Sequence, residues 1–219
     1  MSALRDIDLL AEGIERAQQV EFNQQVRHIA ALIERHLPKI KTPNFWKILV
    51  LCCEAVPERD KNFAVIGGVM DVYLACDIAS YFKLSPKGKK EFAFKAISQG
   101  LEMVAAHTGL GEVDFNLALE ASKLLINEWA WPKSPISSPD RKWKAQLWCS
   151  HEIDCYKAHL IVMDKQKQES ARAFVFEAPP SEFQFVPLMF APEWISSDEI
   201  EVGEHRWKWD ADKLRLTKT

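Results

Sequence analysis

The sequence has no apolar run long enough to cross a bilayer. Its most apolar stretch, residues 63–79, is interrupted by Asp71 and Asp77, whereas a spanning helix needs about 18 consecutive uncharged residues. The N-terminus carries Asp6 and Asp8, where a signal peptide would carry basic residues followed by an apolar block. These absences predict a cytoplasmic protein without a membrane partner.

Paired cysteine motifs are also absent. The chain has five cysteines, an odd number, and no two of them form a CxxC motif. They are Cys52, Cys53, Cys76, Cys149 and Cys155. Because disulfide frameworks use even numbers of cysteines in oxidising compartments, we expect reduced thiols in a reducing compartment.

Phosphate-binding motifs are missing too. Neither GxGxxG nor GxxxxGK[ST] occurs, and the short basic run Lys87, Lys89 and Lys90 has no Walker pattern around it. The formal charge of −3 provides no long-range positive field for nucleic acid. The sequence therefore predicts no nucleic-acid partner and no cofactor.

What is present indicates a globular chain whose first part is helical. Its 219 residues, 47% of them hydrophobic and 27% charged, suffice for one large or two small domains. Phe22, Val26, Ile29, Ile33 and Leu37 recur at helical spacing before Pro38. This stripe predicts an amphipathic helix that ends at the proline.

Further helices are predicted along the same part of the chain. Thr42 and Pro43 resemble a helix start that leads to Pro57, and residues 63–82, apolar nearly all round, predict a buried central helix. Ser85 and Pro86 predict another helix, which stops near Gly109, and Asp114 opens one more. Together these segments predict a bundle of about five helices.

A change of composition predicts where this bundle ends. Residues 132–139 hold three prolines and three serines, which is linker composition. Beyond it, Trp143, Ala145, Leu147 and Cys149 alternate with polar positions, as strands do. We therefore expect an α+β protein made of three regions, which could also form one continuous domain. They are a helical region at 1–131, a Pro/Ser linker at 132–141 and a β-rich region at 142–219.

The β-rich region is expected to form an antiparallel sheet of about five to six strands, because no helical segments separate them. Residues 183–189 are predicted to be one of these strands. Cys149, His151 and Cys155 would share a strand face and offer soft metal ligands. Same-face neighbours lie about 7 Å apart, however, and no fourth ligand is near in the sequence, so we predict no metal site.

An acidic segment followed by tryptophans is the main functional signal. Residues 193–204 contain five acids and no base, and they run into His205, Trp207 and Trp209. Aromatic anchors rimmed by charge are typical of a protein-binding surface, and concentrated negative charge steers a basic partner. The predicted partner-binding residues are Trp194, Asp198, Glu199, Glu201, Glu204, Trp207 and Trp209. Alternatively, the tryptophans fill the core face of a sheet.

Two functional hypotheses follow. The overall profile, with modest size, slightly acidic charge, many aromatics and no catalytic motif, resembles that of bacterial immunity proteins. The resemblance implies a cytosolic inhibitor that covers a cognate basic toxin such as a nuclease, and it predicts no catalytic residues. The alternative is an enzyme whose site lies between the helical and β parts, around His151, Glu152 and Asp154. The oligomeric state stays open.

Overall fold

The computed structural model describes residues 2–56 and 63–219 of the chain. The chain divides into two compact units, Met1–Asn127 and Glu128–Thr219, here called unit 1 and unit 2. The described residues form an α+β structure with five α-helices and four small sheets, and strands predominate. The predicted arrangement of a helical bundle followed by one sheet is therefore wrong.

Unit 1 alternates strands and helices. Its strands are β1 (Ser2–Ala3), β2 (Asp6–Ala11), β3 (Lys41–Thr42), β4 (Lys47–Cys53), β5 (Phe63–Ile66) and β6 (Val69–Ala75). Its helices are α1 (Arg16–His36), α2 (Ile78–Tyr81), α3 (Pro86–Thr108) and α4 (Glu112–Ser122). The main sheet has the order β2-β4-β6-β5, in which the first three strands are parallel and β5 is antiparallel to β6. β1 and β3 form a separate antiparallel pair.

Two helices of unit 1 lie where the sequence predicts them. Phe22, Val26, Ile29 and Ile33 are all buried on one side of α1, which ends at His36. At the start of α3, the hydroxyl oxygen of Ser85 accepts a hydrogen bond from the amide of Gly88 at 3.2 Å, and Pro86 takes the first helical position. The helix ends at Gly109, whose φ of 69° is left-handed.

Two other predicted helices are strands instead. β4 lies at the centre of the sheet, so its residues form a continuous apolar run that does not distinguish a strand from a buried helix. Residues 63–75 form the β5–β6 hairpin, in which Gly67 and Gly68 both have positive φ. Adjacent glycines at this position are typical of a tight hairpin turn. Pro57, the predicted end of one helix, lies outside the described residues.

Unit 2 consists of two antiparallel sheets. Its elements are β7 (Glu128–Ser137), β8 (Lys144–His151), β9 (Tyr156–Met163), β10 (Glu169–Ala178), α5 (Glu182–Phe185), a 3₁₀ turn (Val186–Leu188), β11 (Glu193–Ser196), β12 (Glu199–Val202), β13 (His205–Asp210) and β14 (Arg215–Lys218). β7 to β10 form one meander and β11 to β14 form the other. Their inner faces form one hydrophobic core. The predicted antiparallel pairing is confirmed, but the strands make two four-stranded sheets.

Two segments of unit 2 differ from their predictions. The first part of the predicted linker, up to Ser137, belongs to β7, which lies at the edge of its sheet. Proline is tolerated in an edge strand because no neighbouring strand needs its missing N–H, and the register shift between Trp131 and Ile136 spans two of the prolines. Residues 183–189, predicted to be a strand, instead fold as α5 and the 3₁₀ turn.

Candidate functional site

The three tryptophans of the predicted partner-binding surface lie in the core of unit 2. Trp207 and Trp209 are 1% and 2% exposed, and Trp194 is 9% exposed. The indole of Trp209 packs edge-to-face against Trp143, with ring centroids 5.0 Å apart. The indole N–H of Trp194 donates to the carbonyl of Ile136 at 3.0 Å, which joins the two sheets. These side chains fill the core, as the alternative interpretation describes, and they are not available to a partner in this conformation.

The acids of the same segment lie on the outer side of the β11–β14 sheet and in its turns. Ile200 and Val202 point into the core, so Glu199 and Glu201 point outward between them. Glu201 lies opposite Arg206 in register, and the two side chains form an ion pair at 2.7 Å. Glu199 lies opposite Lys208 in the same way. The outer face of this sheet therefore carries mixed charge.

The two remaining predicted acids lie in turns at the ends of β12. The carboxylate of Asp198 accepts a hydrogen bond from the hydroxyl of Ser196 at 2.6 Å in the turn between β11 and β12. Glu204 is exposed in the turn between β12 and β13. All four predicted acids thus belong to one small sheet, while the tryptophans of the prediction lie beneath it.

A segment outside the prediction presents large apolar side chains to solvent. Residues 182–190, which connect β10 to β11, are called the apolar loop below. Phe183 is 94% exposed, and Val186, Leu188 and Phe190 are 54%, 43% and 52% exposed. Leaving a phenylalanine in water forgoes about 1.5–3 kcal/mol of burial free energy. A group of such side chains is typical of an interaction surface.

The apolar loop is held in place by its inward-facing residues. The ring of Phe185 stacks on Tyr156, with centroids 3.9 Å apart and planes inclined by 4°. The hydroxyl of Tyr156 donates to the sulfur of Met189 at 3.4 Å. The Nε2 of His151 lies 2.9 Å from the carbonyl oxygen of Pro180, which can only accept, so the imidazole donates there. The exposed side chains are therefore displayed from a fixed backbone.

The apolar loop also contacts the acidic segment. A Cβ added at Gly203 would lie 2.8 Å from the ring of Phe190, so that ring packs directly over the glycine backbone. Gly203 precedes Glu204 and has a left-handed φ of 58°. Residues 173–205 contain seven acids and neither lysine nor arginine. Exposed aromatic rings and carboxylates thus occur together in this region. The exposed rings are phenylalanines, whereas the sequence predicted tryptophans.

The residues proposed for an enzyme site have structural roles in the hairpin between β8 and β9. His151 is 1% exposed, and its ring packs edge-on against Phe185 at 5.2 Å. The amide of Glu152 donates to the carbonyl of Cys155 at 2.8 Å and so closes the turn that contains Asp154. Burial raises the pKa of the Cys155 thiol to about 11, which keeps it protonated and a weak nucleophile. This arrangement anchors the apolar loop.

The described ranges, 2–56 and 63–219, contain neither a metal-ligand cluster nor a membrane-spanning helix. Within them, no group of three or more histidine, cysteine, aspartate or glutamate residues is arranged to hold a metal ion. Cys149, one of the candidate ligands, points into the core and is fully buried. No helix in these ranges combines the length and apolar composition that a bilayer crossing requires.

One signal for the apolar loop is present in the sequence. The run without lysine or arginine begins at residue 173, before the acidic stretch, and includes the loop. The alternation of Phe183 and Phe185 suggests a strand, and a strand does not predict that the ring of Phe183 is exposed.

Comparisons with protein-family models, curated proteins and solved structures gave no match.

Proposed function

We propose that this protein binds a partner protein with a basic surface, and that it acts as an inhibitor of the immunity-protein type that covers a cognate toxin such as a nuclease. The observation that carries the proposal is the 94% exposure of Phe183 on a loop that is held by the stacking of Phe185 on Tyr156 and by the hydrogen bond from His151 to Pro180. A partner that covers this ring recovers the burial free energy that the free protein forgoes.

Anchoring of the loop favours affinity. Ordering a flexible loop on association costs about 0.5–1.5 kcal/mol for each immobilised side chain. Phe185 already stacks on Tyr156, and His151 holds the backbone at Pro180, two residues before the apolar loop, so less of this cost falls on binding. Phe183 and Phe190 are suited to be the aromatic anchors that dominate an interface of about 800 Å² per partner.

The charge around the loop favours a basic partner. Glu182 begins the apolar loop, Glu193 follows it closely, and Glu204 adjoins the glycine under Phe190. The first bases after the loop, Arg206 and Lys208, lie on the outer face of the sheet opposite Glu201 and Glu199. A net negative rim raises the association rate of a cationic partner and makes that rate fall with salt.

Site-specific photo-crosslinking tests the proposal directly. A benzophenone amino acid at position 183 is expected to capture one predominant basic protein in the native host. The matched control carries the same group at Val113, an apolar residue of unit 1 that is 71% exposed. Recovery of the same proteins from both positions, or of only acidic proteins from position 183, would contradict the proposal.

The affinity of variants for the captured partner then shows how much the ring of Phe183 contributes to binding. Phe183→Ser is expected to weaken affinity about tenfold or more, since aromatic anchors contribute upwards of about 1.4 kcal/mol. The melting temperature should not change, because the side chain makes little contact with the folded protein. Leu117→Ser, at a position 62% exposed on α4, is the control. Equal affinity for Phe183→Ser and the unmodified protein would refute the role of the loop.

A further inference from the structure

Two thiols lie side by side at one end of the main sheet of unit 1. Cys52 is in β4, and Cys76 directly follows the last residue of β6. Their sulfur atoms are 2.9 Å apart. The carboxyl ends of β4 and β6 bring them together because the two strands are parallel neighbours, with Cys52 in register with Leu74.

The backbone holds this pair in position. The amide of Cys76 donates to the carbonyl of Cys53 at 2.9 Å, which continues the β4–β6 ladder one residue past the end of β6. A disulfide needs a sulfur separation of about 2.05 Å. The sulfurs of Cys52 and Cys76 would therefore have to approach by less than about 1 Å, a distance that side-chain rotation can supply.

The two thiols differ in access and in acidity. Cys52 is fully buried under the helices, whereas Cys76 is partly exposed. The hydrogen bond between the two thiols lowers the pKa of Cys76 and raises that of Cys52, because the Cys52 thiol can donate to a Cys76 thiolate. The ammonium of Lys95 on α3 lowers the pKa of Cys76 further. Cys76 is thus the thiol that an oxidant reaches and that ionises first, since thiolates are the reactive form.

We propose that Cys52 and Cys76 are a redox modification site that closes reversibly into a disulfide on exposure to a peroxide. The Cys76 thiolate attacks one peroxide oxygen, the O–O bond breaks, and hydroxide leaves to give a sulfenic acid. The Cys52 sulfur then attacks the Cys76 sulfur, and the S–O bond of the sulfenic acid breaks. The oxygen of the sulfenic acid leaves as water and takes the proton from Cys52. In total, two thiols and one peroxide give one disulfide and two waters.

The same unit provides a matched control. Cys53 is adjacent to Cys52, but its side chain belongs to a different cluster, with Leu51 and Tyr73. Its thiol lies 3.7 Å from the carbonyl oxygen of Leu74 and donates to it. Cys53 therefore tests whether reaction depends on the pair or only on a thiol in β4.

The experiment treats the full chain with equimolar hydrogen peroxide and then counts thiols after denaturation. Two of the five free cysteines should be lost, and peptide mapping should find a Cys52–Cys76 link that dithiothreitol reverses. Cys76→Ser should abolish the link, and Cys53→Ser should leave it unchanged. Cys52→Ala, checked for native circular dichroism, should accumulate a sulfenic acid at Cys76 that dimedone traps. Retention of all five thiols, or a link between other cysteines, would overturn the proposal.

Discussion

The two units build their cores from different side chains. Unit 1 packs helices against one face of a mostly parallel sheet, and its core is mainly aliphatic, with residues such as Ile7, Ile48 and Val50. Unit 2 packs two antiparallel sheets, and it contains seven of the eight tryptophans in the chain. Stacked sheets lie about 10 Å apart, so short strands need large side chains to fill the gap. The aromatic content of unit 2 therefore reflects its architecture, whereas its exposed phenylalanines need another explanation.

The units also protect their sheet edges differently. In unit 1, side chains of α1 cover the outer edge of β2: Glu34 accepts from the amide of Ile7 at 2.7 Å, and Arg27 donates to the carbonyl of Ile7 at 3.0 Å. Gln19 donates to the carbonyl of Ala11 further along at 2.9 Å. In unit 2, prolines lie in the edge strand β7. Polar and charged side chains bond to the edge strand in unit 1, whereas in unit 2 prolines remove hydrogen-bond donors from the edge strand.

The largest expected effect comes from emptying the aromatic core of unit 2. Trp207→Ala should destabilise this unit by about 3–5 kcal/mol, because a large buried side chain leaves both lost burial and a cavity. Phe183→Ala, which removes an aromatic ring from the surface of the same unit, should change stability by less than about 0.5 kcal/mol. Urea unfolding, followed by tryptophan fluorescence, measures both. Similar losses for the two variants would mean that the exposed ring supports the fold.

The second prediction concerns pH and the covered edge of unit 1. Burial raises the pKa of Glu34 from its usual 4.5 to about 7, although the hydrogen bonds from the Arg27 guanidinium oppose this shift. The folded state thus binds this proton more tightly than the unfolded state does. The stability that protonation of Glu34 contributes is complete below about pH 4.5 and is lost as the pH rises through 7. The free energy of unfolding then decreases by up to about 3 kcal/mol.

Glu34→Gln isolates this contribution from those of other titrating groups. The amide oxygen of glutamine can still accept from Ile7, but the side chain has no proton to release. Urea unfolding at several pH values between 4 and 8 should therefore show that stability falls with pH more steeply in the unmodified protein than in the variant. Hydrogen exchange at the amide of Ile7 reports the same edge locally. Parallel pH profiles would contradict the raised pKa.

The same contrast shows which parts of the fold were predictable. Local signals identified α1 through its stripe at Phe22 and Val26, and α3 through the cap at Ser85. The period of two identified β8 and β9. A buried parallel strand such as β4 has no such signal, because both of its faces are apolar and the run suits either a helix or a strand.

The candidate site was harder to predict than the fold. Alternation correctly places Trp207 and Trp209 on one strand face, but it does not indicate whether that face points toward a core or toward solvent. The exposure of Phe183 depends on Phe185 stacking on Tyr156, a contact between residues 29 positions apart in sequence. Only the lack of lysine and arginine around the apolar loop was readable beforehand, and it concerns charge and not geometry.

The smallest expected effect tests how closely α3 of unit 1 packs against the sheet. A Cβ at Gly100 would overlap the side chain of Val50 in β4, so Gly100→Ala sets a gain in helix propensity of about 1 kcal/mol against an overpacking cost of about 1–3 kcal/mol. We expect a net loss of about 1 kcal/mol, measured by urea unfolding. Gly88→Ala, in the first turn of α3, is the milder control, because a Cβ there would lie 3.3 Å from the Cβ of Leu84 and would not overlap it as deeply.

A double variant separates the clash from any other effect at this position. Val50→Ala removes the methyl groups that the new Cβ would meet, so Gly100→Ala should become less destabilising, or even stabilising, in that background. If Gly100→Ala stabilises the unmodified protein, α3 is not in close contact with β4. The core of unit 1 would then be stabilised by added side-chain volume, as the core of unit 2 is. The contrast between a helix layer that needs a small residue and a pair of sheets that needs large ones would not hold.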